Sequence, residues 1–258
     1  MTGPNAGSDA TGMRTRFIPD GDHIVVEGGK IFITSGNAAD LLLVFGKWSE
    51  IDDPRRAISA LIVEKDTIGF SAGRPEDKMG LRASATTPLN FDSARVPRAN
   101  LLGAPGDGLA ILLASLNRSR PSIAAHALGI AVAAFKDMTG YMNTRRQSGR
   151  RIAEFQANQF LLADLASELA LCEAWLDHVA DLVDGGSDDF GVEASIAKLR
   201  ASDLAMRMTT EAVQMHGGYG YIRDYRVERL MRDAKITQIW EGTNQVHRQL
   251  IGRSFVEK

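Results

Sequence analysis

A single carboxylate in the run Ile239-Trp240-Glu241-Gly242-Thr243-Asn244-Gln245 brings together the residue types that proton abstraction needs. Glu241 sits between a bulky ring and a glycine. A ring that excludes water disfavours the ionised form of a neighbouring carboxyl and moves it toward the range where a carboxylate works as a base. Gly242 has no side chain to keep a ligand away from the backbone. Thr243, Asn244 and Gln245 add hydroxyl and amide groups that can bond a polar cofactor. The plain alternative is a solvated glutamate on a helix surface.

Other stretches carry groups suited to binding. The loop 2–9 offers the hydroxyls of Thr2 and Ser8 beside Gly3 and Gly7, so its backbone N–H groups can turn toward phosphates or ring edges. Phe32-Ile33-Thr34 sets an aromatic ring and a hydroxyl two residues apart, hence on one face of a strand. A planar heteroaromatic fits that pair, as does an ordinary core phenylalanine. Arg145, Arg146, Arg150 and Arg151 cluster, with Gln156 beyond them, and arginine forks suit phosphate oxygens. Arg120 and the turn Gln214-Met215-His216-Gly217-Gly218 read either as binding groups or as a solvated charge and a helix C-cap. His216 and His247 read as structural or surface histidines.

These groups must be held by two kinds of element. The first hundred residues read as β structure. His23 to Val26 and Lys30 to Thr34 flank Gly28-Gly29 as a hairpin, and Leu41 to Phe45 reads as a strand buried on both faces. Ile58 to Val63 and Leu89 to Val96 add strands, which predicts a small barrel or sandwich. After the linker Gly103-Ala104-Pro105-Gly106 the period becomes helical. Helices are expected over 109–142, along a seam from Leu162 to Val183, over 192–213 and 224–234, and from Thr243 onward. Pro121 predicts a kink or local opening in the first of them. The fold class is therefore α+β: a β domain over 1–102, then an antiparallel four-helix bundle over 103–258.

Composition bounds the function. With 258 residues, 44% of them hydrophobic, the chain can bury a sizeable core. A net charge of −2 gives no reason to expect nucleic acid or an anionic membrane as a partner. No apolar run is long enough to span a bilayer, and no signal segment opens the chain. The lone Cys172 fits a reducing compartment. Neither an HExxH nor a CxxC motif is present, so a protein-built metal site is not expected.

Seven segments in fixed order carry a resemblance: TGPNAGSDA, KIFITSG, KMGLRAS, LNRSRP, NTRRQSGRRIAEFQ, QMHGGYGY and RDAKITQIWEGTNQ. Together they resemble the acyl-CoA dehydrogenase family over essentially the whole chain. The resemblance implies FAD held between a middle β domain and a C-terminal bundle, with an acyl-CoA thioester against the flavin. It implies Glu241 as the base. Flavin-edge contacts match Thr2, Gly7, Ser8 and Phe32-Ile33-Thr34. Distal FAD contacts match Arg145, Gln156, Gln214, Gly217 and Gly218, usually from a neighbouring subunit, and Thr243, Asn244 and Gln245 return to FAD. Substrate contacts match Ser8, Asn117, Arg120 and Gly242.

The implied reaction is α,β-dehydrogenation, as in fatty acid metabolism. Glu241 takes the α-proton, the β-hydride passes to flavin N5, and electrons go to an electron-transfer flavoprotein. Hydrogen bonds to the thioester carbonyl stabilise the developing enolate. Some relatives place the base where this chain has Ser119, which leaves Glu241. An acyl-CoA oxidase using O2 and a non-catalytic subunit are the alternatives. A homo-oligomer (dimer or tetramer), or a hetero-oligomer with a related chain, is expected, in the cytoplasm or, in a eukaryote, the mitochondrial matrix. Gly3 stands where the family usually has glutamate, and Ser148 where phenylalanine is common. The family's N-terminal helical domain has no counterpart in the sequence, so a truncated product, a mis-called start or a fragment is expected.

Overall fold

The computed structural model describes residues 1–256 and divides into two compact units, Met1–Ser115 and Leu116–Lys258. In the first, β1 (Arg16–Asp20), β2 (His23–Thr34), β3 (Leu41–Trp48), β4 (Ile58–Glu64), β5 (Phe70–Ala72), β6 (Thr86–Pro97) and β7 (Leu101–Leu102) form one seven-stranded sheet. The order is β5-β6-β2-β1-β3-β4-β7, antiparallel throughout except for the parallel pair β1–β3. The end strands do not pair, so no barrel closes. Phe17, Ile24, Val26, Leu61, Phe91 and Val96 are among the buried apolar residues of its core.

Two expectations for this unit need correction. Gly28-Gly29 makes no hairpin, because β2 runs through it as one twelve-residue strand. The turn lies at Gly21-Asp22, where Asp20 pairs with His23 and Gly21 has φ +58°. At Gly28 (φ +111°) the register against β6 shifts, and a Cβ there would stand 3.2 Å from the Thr15 Cα. The glycine admits a bulge, not a reversal. In β3, Leu41 and Leu43 are exposed, and the strand is buried on both faces only from Val44 to Gly46.

In the second unit, α1 (Gly108–Thr144, begun in the first unit), α2 (Gln156–Asp184), α3 (Gly191–His216), α4 (Val227–Lys235) and α5 (Asn244–Arg253) surround one apolar core. Small residues on α3 (Ala194, Ala197, Ala201, Ala205) allow close approach, and Met138, Met142, Leu165 and Met208 fill the space between. The expected opening at Pro121 does not occur, since α1 runs unbroken through it. A short hairpin, β8 (Arg146–Gln147) with β9 (Arg150–Arg151), joins α1 to α2. Ser148 (φ +50°) and Gly149 (φ +80°) form its turn, a left-handed pair that a two-residue hairpin requires. A hydroxyl side chain at 148 is therefore part of a turn. Among the described residues no helix is long and apolar enough to cross a membrane.

Candidate active site

The second unit builds a polar cluster around Glu241. A short 3-10 turn ends at Gln238, and α5 begins at Asn244, with Thr243 accepting from the Val246 N–H as N-cap. Between them Glu241 (φ +56°) and Gly242 (φ +91°) are both left-handed. A non-glycine residue there is strained, and the surroundings have to hold it. A Cβ at 242 would lie 3.0 Å from His247 Nε2, so glycine suits both the backbone and the space.

The glutamate side chain reaches across the unit. Ser119 on α1 donates its hydroxyl to Glu241 Oε2 at 2.6 Å. The Trp240 ring packs edge-on against His126, centroids 5.7 Å apart. Beneath the turn, Lys198 Nζ donates to the Gly242 carbonyl (2.7 Å) and to Asn244 Oδ1 (2.9 Å), while His247 Nε2 lies 3.2 Å from the Glu241 carbonyl. Arg120 is buried and donates to Asn117 Oδ1 at 2.7 Å. Burial lowers the Lys198 ammonium to about 8, and the charges of Asp203 and Glu241 oppose that shift. Burial also lowers Arg120, again opposed by Glu241.

His247 yields a measurable pH dependence. Burial, then the charges of Lys198 and Arg120, push its imidazole down from 6.5 to about 4. It is therefore neutral at pH 7, with Nε2–H donating to the Glu241 carbonyl. The unfolded chain binds the extra proton between those two values, so stability falls as pH drops through that window. We expect a loss of roughly 2–3 kcal/mol from about pH 7 to pH 4 attributable to this residue. Denaturant melts across the range should show His247→Gln flattening that slope.

Three buried side-chain polar atoms around Glu241 have no partner: Arg120 Nε, Trp240 Nε1 and His247 Nδ1. Among the described residues only Thr87 Oγ1 shares that condition. Such atoms are rare in folded proteins, and their grouping marks a place where something else completes the bonding.

A second locus in the same unit is a cavity of about 450 Å³. Arg145, Gln214, Gly217 and Gly218 line it, four of the residues singled out in the sequence for the distal cofactor. Gln156, at the start of α2, is not among its lining residues. Sequence reasoning missed Tyr141 and Tyr219 and gave His216 no role of its own. His216 is buried and stacks on Tyr141 at 4.2 Å, and Arg145 lies 5.8 Å from the Tyr219 ring. The signal for Tyr219 was its place directly after the double glycine.

The first unit lays the loop 2–9 along β2. Ile31 N–H donates to the Thr2 carbonyl at 3.0 Å, Gly3 and Ala6 bridge each other, and buried Lys30 donates to the Met1 carbonyl at 3.1 Å. Gly7 and Ser8 are exposed. Phe32 is left-handed (φ +56°) with its residue 61% exposed, and Thr34 is exposed beside it, with Ile33 partly buried between them. A strained backbone that holds a large ring in the open points to a ligand for that ring. Asn244 is the exception among the singled-out residues. Its side chain is buried against Lys198, Ser202 and Asp203, so it serves the turn and presents no amide outward. Gln245 is exposed on α5.

Comparison with known proteins places both units in one family. Residues 1–94 match the family model "Acyl-CoA dehydrogenase, middle domain", and residues 106–256 match "Acyl-CoA dehydrogenase, C-terminal domain". A Bacillus subtilis acyl-CoA dehydrogenase is 49% identical over 98% of the chain. The structure of butyryl-CoA dehydrogenase from Megasphaera elsdenii superposes with a TM-score of 0.96 at 44% identity, covering 99% of the chain and 67% of that protein. A chain in a structure described as the electron transferring flavoprotein of Acidaminococcus fermentans matches at the same TM-score and identity, covering 100% of this chain and 67% of that one. The chain spans 66% of the length of its Bacillus subtilis relative.

Proposed function

The chain belongs to the acyl-CoA dehydrogenase family, and from that membership we propose that it carries out FAD-dependent α,β-dehydrogenation of an acyl-CoA thioester with Glu241 as the base. The observation that carries this reading is the convergence on Glu241. A strained left-handed carboxylate is held by a hydroxyl on one oxygen, its backbone carbonyl has a dedicated donor, and unpartnered buried polar atoms surround it.

The residues fit FAD, the family's cofactor. Arg145, with Gln214, Gly217 and Gly218, would hold the phosphate and adenosine side of a neighbouring copy's FAD in the cavity they line. Phe32 and Thr34 would face its ring system, with Thr2, Gly7 and Ser8 from the adjoining loop. Bound FAD supplies the acceptor for the β-hydrogen as hydride.

The protein's own share is proton transfer and charge stabilisation. A thioester α-proton is too weakly acidic for an unaided carboxylate. The Glu241 N–H, set by the left-handed backbone, would donate to the thioester carbonyl as charge builds there. Ser119 occupies Oε2, so the α-proton goes to Oε1. Gly242 keeps the approach open, and the Trp240 ring excludes water. Asn117 and Arg120 would stand on the CoA side. An electron-transfer flavoprotein would take the electrons, a reading supported by the match to a chain solved under that description.

The purified chain, given FAD and gel-filtered, is expected to keep a flavin absorbance band. A saturated acyl-CoA added without oxygen should bleach the band and yield the enoyl-CoA. A protein that ignores FAD, or a bound flavin that neither short- nor long-chain acyl-CoA bleaches, overturns the proposal. Peroxide release on admitting air would assign an oxidase instead.

A further inference from the structure

Lys198 is fully buried on α3, and among the described residues it forms no salt bridge. A buried ammonium is costly unless its donors are well used, and an apolar side chain of like volume would avoid that cost. The donors are spent on one structure, the turn that carries Glu241. Two successive left-handed residues turn their carbonyls inward, where each needs a donor of its own. His247 serves the carbonyl of Glu241, and Lys198 serves that of Gly242.

The attachment then spreads along one face of α3. Lys198 and Ser202 both reach Asn244 Oδ1, and Asn244 Nδ2 donates to Asp203 at 2.7 Å. Asp203 in turn accepts from Gln238 before the turn (2.7 Å) and from Arg248 after it (2.7 Å). Both shoulders of the turn are thus tied to α3, and Lys198 is the only one of these α3 groups that reaches the turn's own backbone.

We infer that Lys198 is a positioning residue for the Glu241 carboxylate, acting through the Gly242 carbonyl and the Asn244 carboxamide. This rests on the reading of Glu241 as the base. Without the ammonium, the part-buried Gly242 carbonyl loses its donor and the turn relaxes toward a right-handed backbone. A displacement of about 1 Å at a reacting group costs on the order of 10²-fold in rate.

Lys198→Met keeps the volume and removes the donors. It should retain FAD and hold KM for acyl-CoA within about threefold, while flavin reduction at saturating substrate slows by roughly 10²-fold. Backbone amides of 241–247 should exchange with deuterium at least about tenfold faster, a readout that needs neither flavin nor turnover. Lys198→Gln restores two N–H donors without charge and should recover about tenfold of the lost rate. If Lys198→Met does not fold, the glutamine variant is read against the wild type by the same two measurements. Wild-type reduction rate with unchanged exchange over 241–247, in whichever variant folds, overturns the inference. A parallel Glu241→Gln control keeps the two readings apart: if it still bleaches, the base assignment fails, whatever Lys198 does.

Discussion

Glu241→Gln should keep the flavin band and abolish its bleaching by acyl-CoA. The amide matches the carboxylate in shape and can still accept from Ser119, so the turn at 241–244 keeps its form. What is lost is the only group in the cluster able to take a proton from carbon near neutral pH. Lys198 Nζ is engaged with the Gly242 carbonyl and Asn244, Arg120 is a cationic donor, Ser119 is a hydroxyl already committed to the carboxylate, and burial holds the His247 imidazole to about 4, too weak a base. Positioned proton transfer typically contributes about 10²–10⁴-fold, and with no alternative base the reduction rate should fall by at least roughly 10³-fold. Stopped-flow reduction of the flavin measures it. Retention of FAD excludes a folding defect, and bleaching at the wild-type rate would move the base elsewhere.

The cavity in the second unit predicts a second result, on stability and FAD retention together. Gly220 is buried in the 3-10 turn Gly217–Tyr221 that follows α3. A Cβ there would stand 2.4 Å from the Val213 carbonyl oxygen and 2.9 Å from the His216 Cβ. Backbone at that distance has to move, and His216 moves with it, loosening its stack on Tyr141. Gly220→Ala is therefore expected to cost about 2–4 kcal/mol. For a chain of this size that lowers the thermal midpoint by roughly 5–15 °C. If the cavity holds the distal part of FAD, the variant should also release flavin on gel filtration under conditions where the wild type keeps it. Gly218→Ala is the control. It lines the same cavity, but a Cβ there meets nothing within 4 Å, so stability should change by less than about 1 kcal/mol. Equal melting of the two variants would show that the turn tolerates crowding and does not set the cavity wall.

Much of this molecule was legible before any coordinates. The helical seams and the glycine stop after His216, where Gly217 has φ +59°, follow from spacing along one chain. So did four of the residues that line the cavity, because their order and types carried a family pattern. The errors arose where a local signal had two physical outcomes. A glycine pair permits a hairpin or a bulge, and at Gly28-Gly29 the flanking strand β6 chose the bulge by pairing with β2 on both sides of the pair. An apolar run permits burial on two faces or one, and the open sheet left Leu41 and Leu43 uncovered.

Residue types and their order along the chain were enough to establish the α+β class, the family and Glu241 as the carboxylate of interest, because propensity, periodicity and motif are local properties. How that carboxylate is held was decided only in three dimensions. Ser119 reaches it from 122 residues away, and Lys198 supports its turn from 44 residues away. Hydrogen bonds over such separations leave no periodic trace. A lysine amid apolar neighbours reads as a misfit until the carbonyl it serves is folded against it, since the cost of burying its charge is offset only by a partner that the linear order does not reveal.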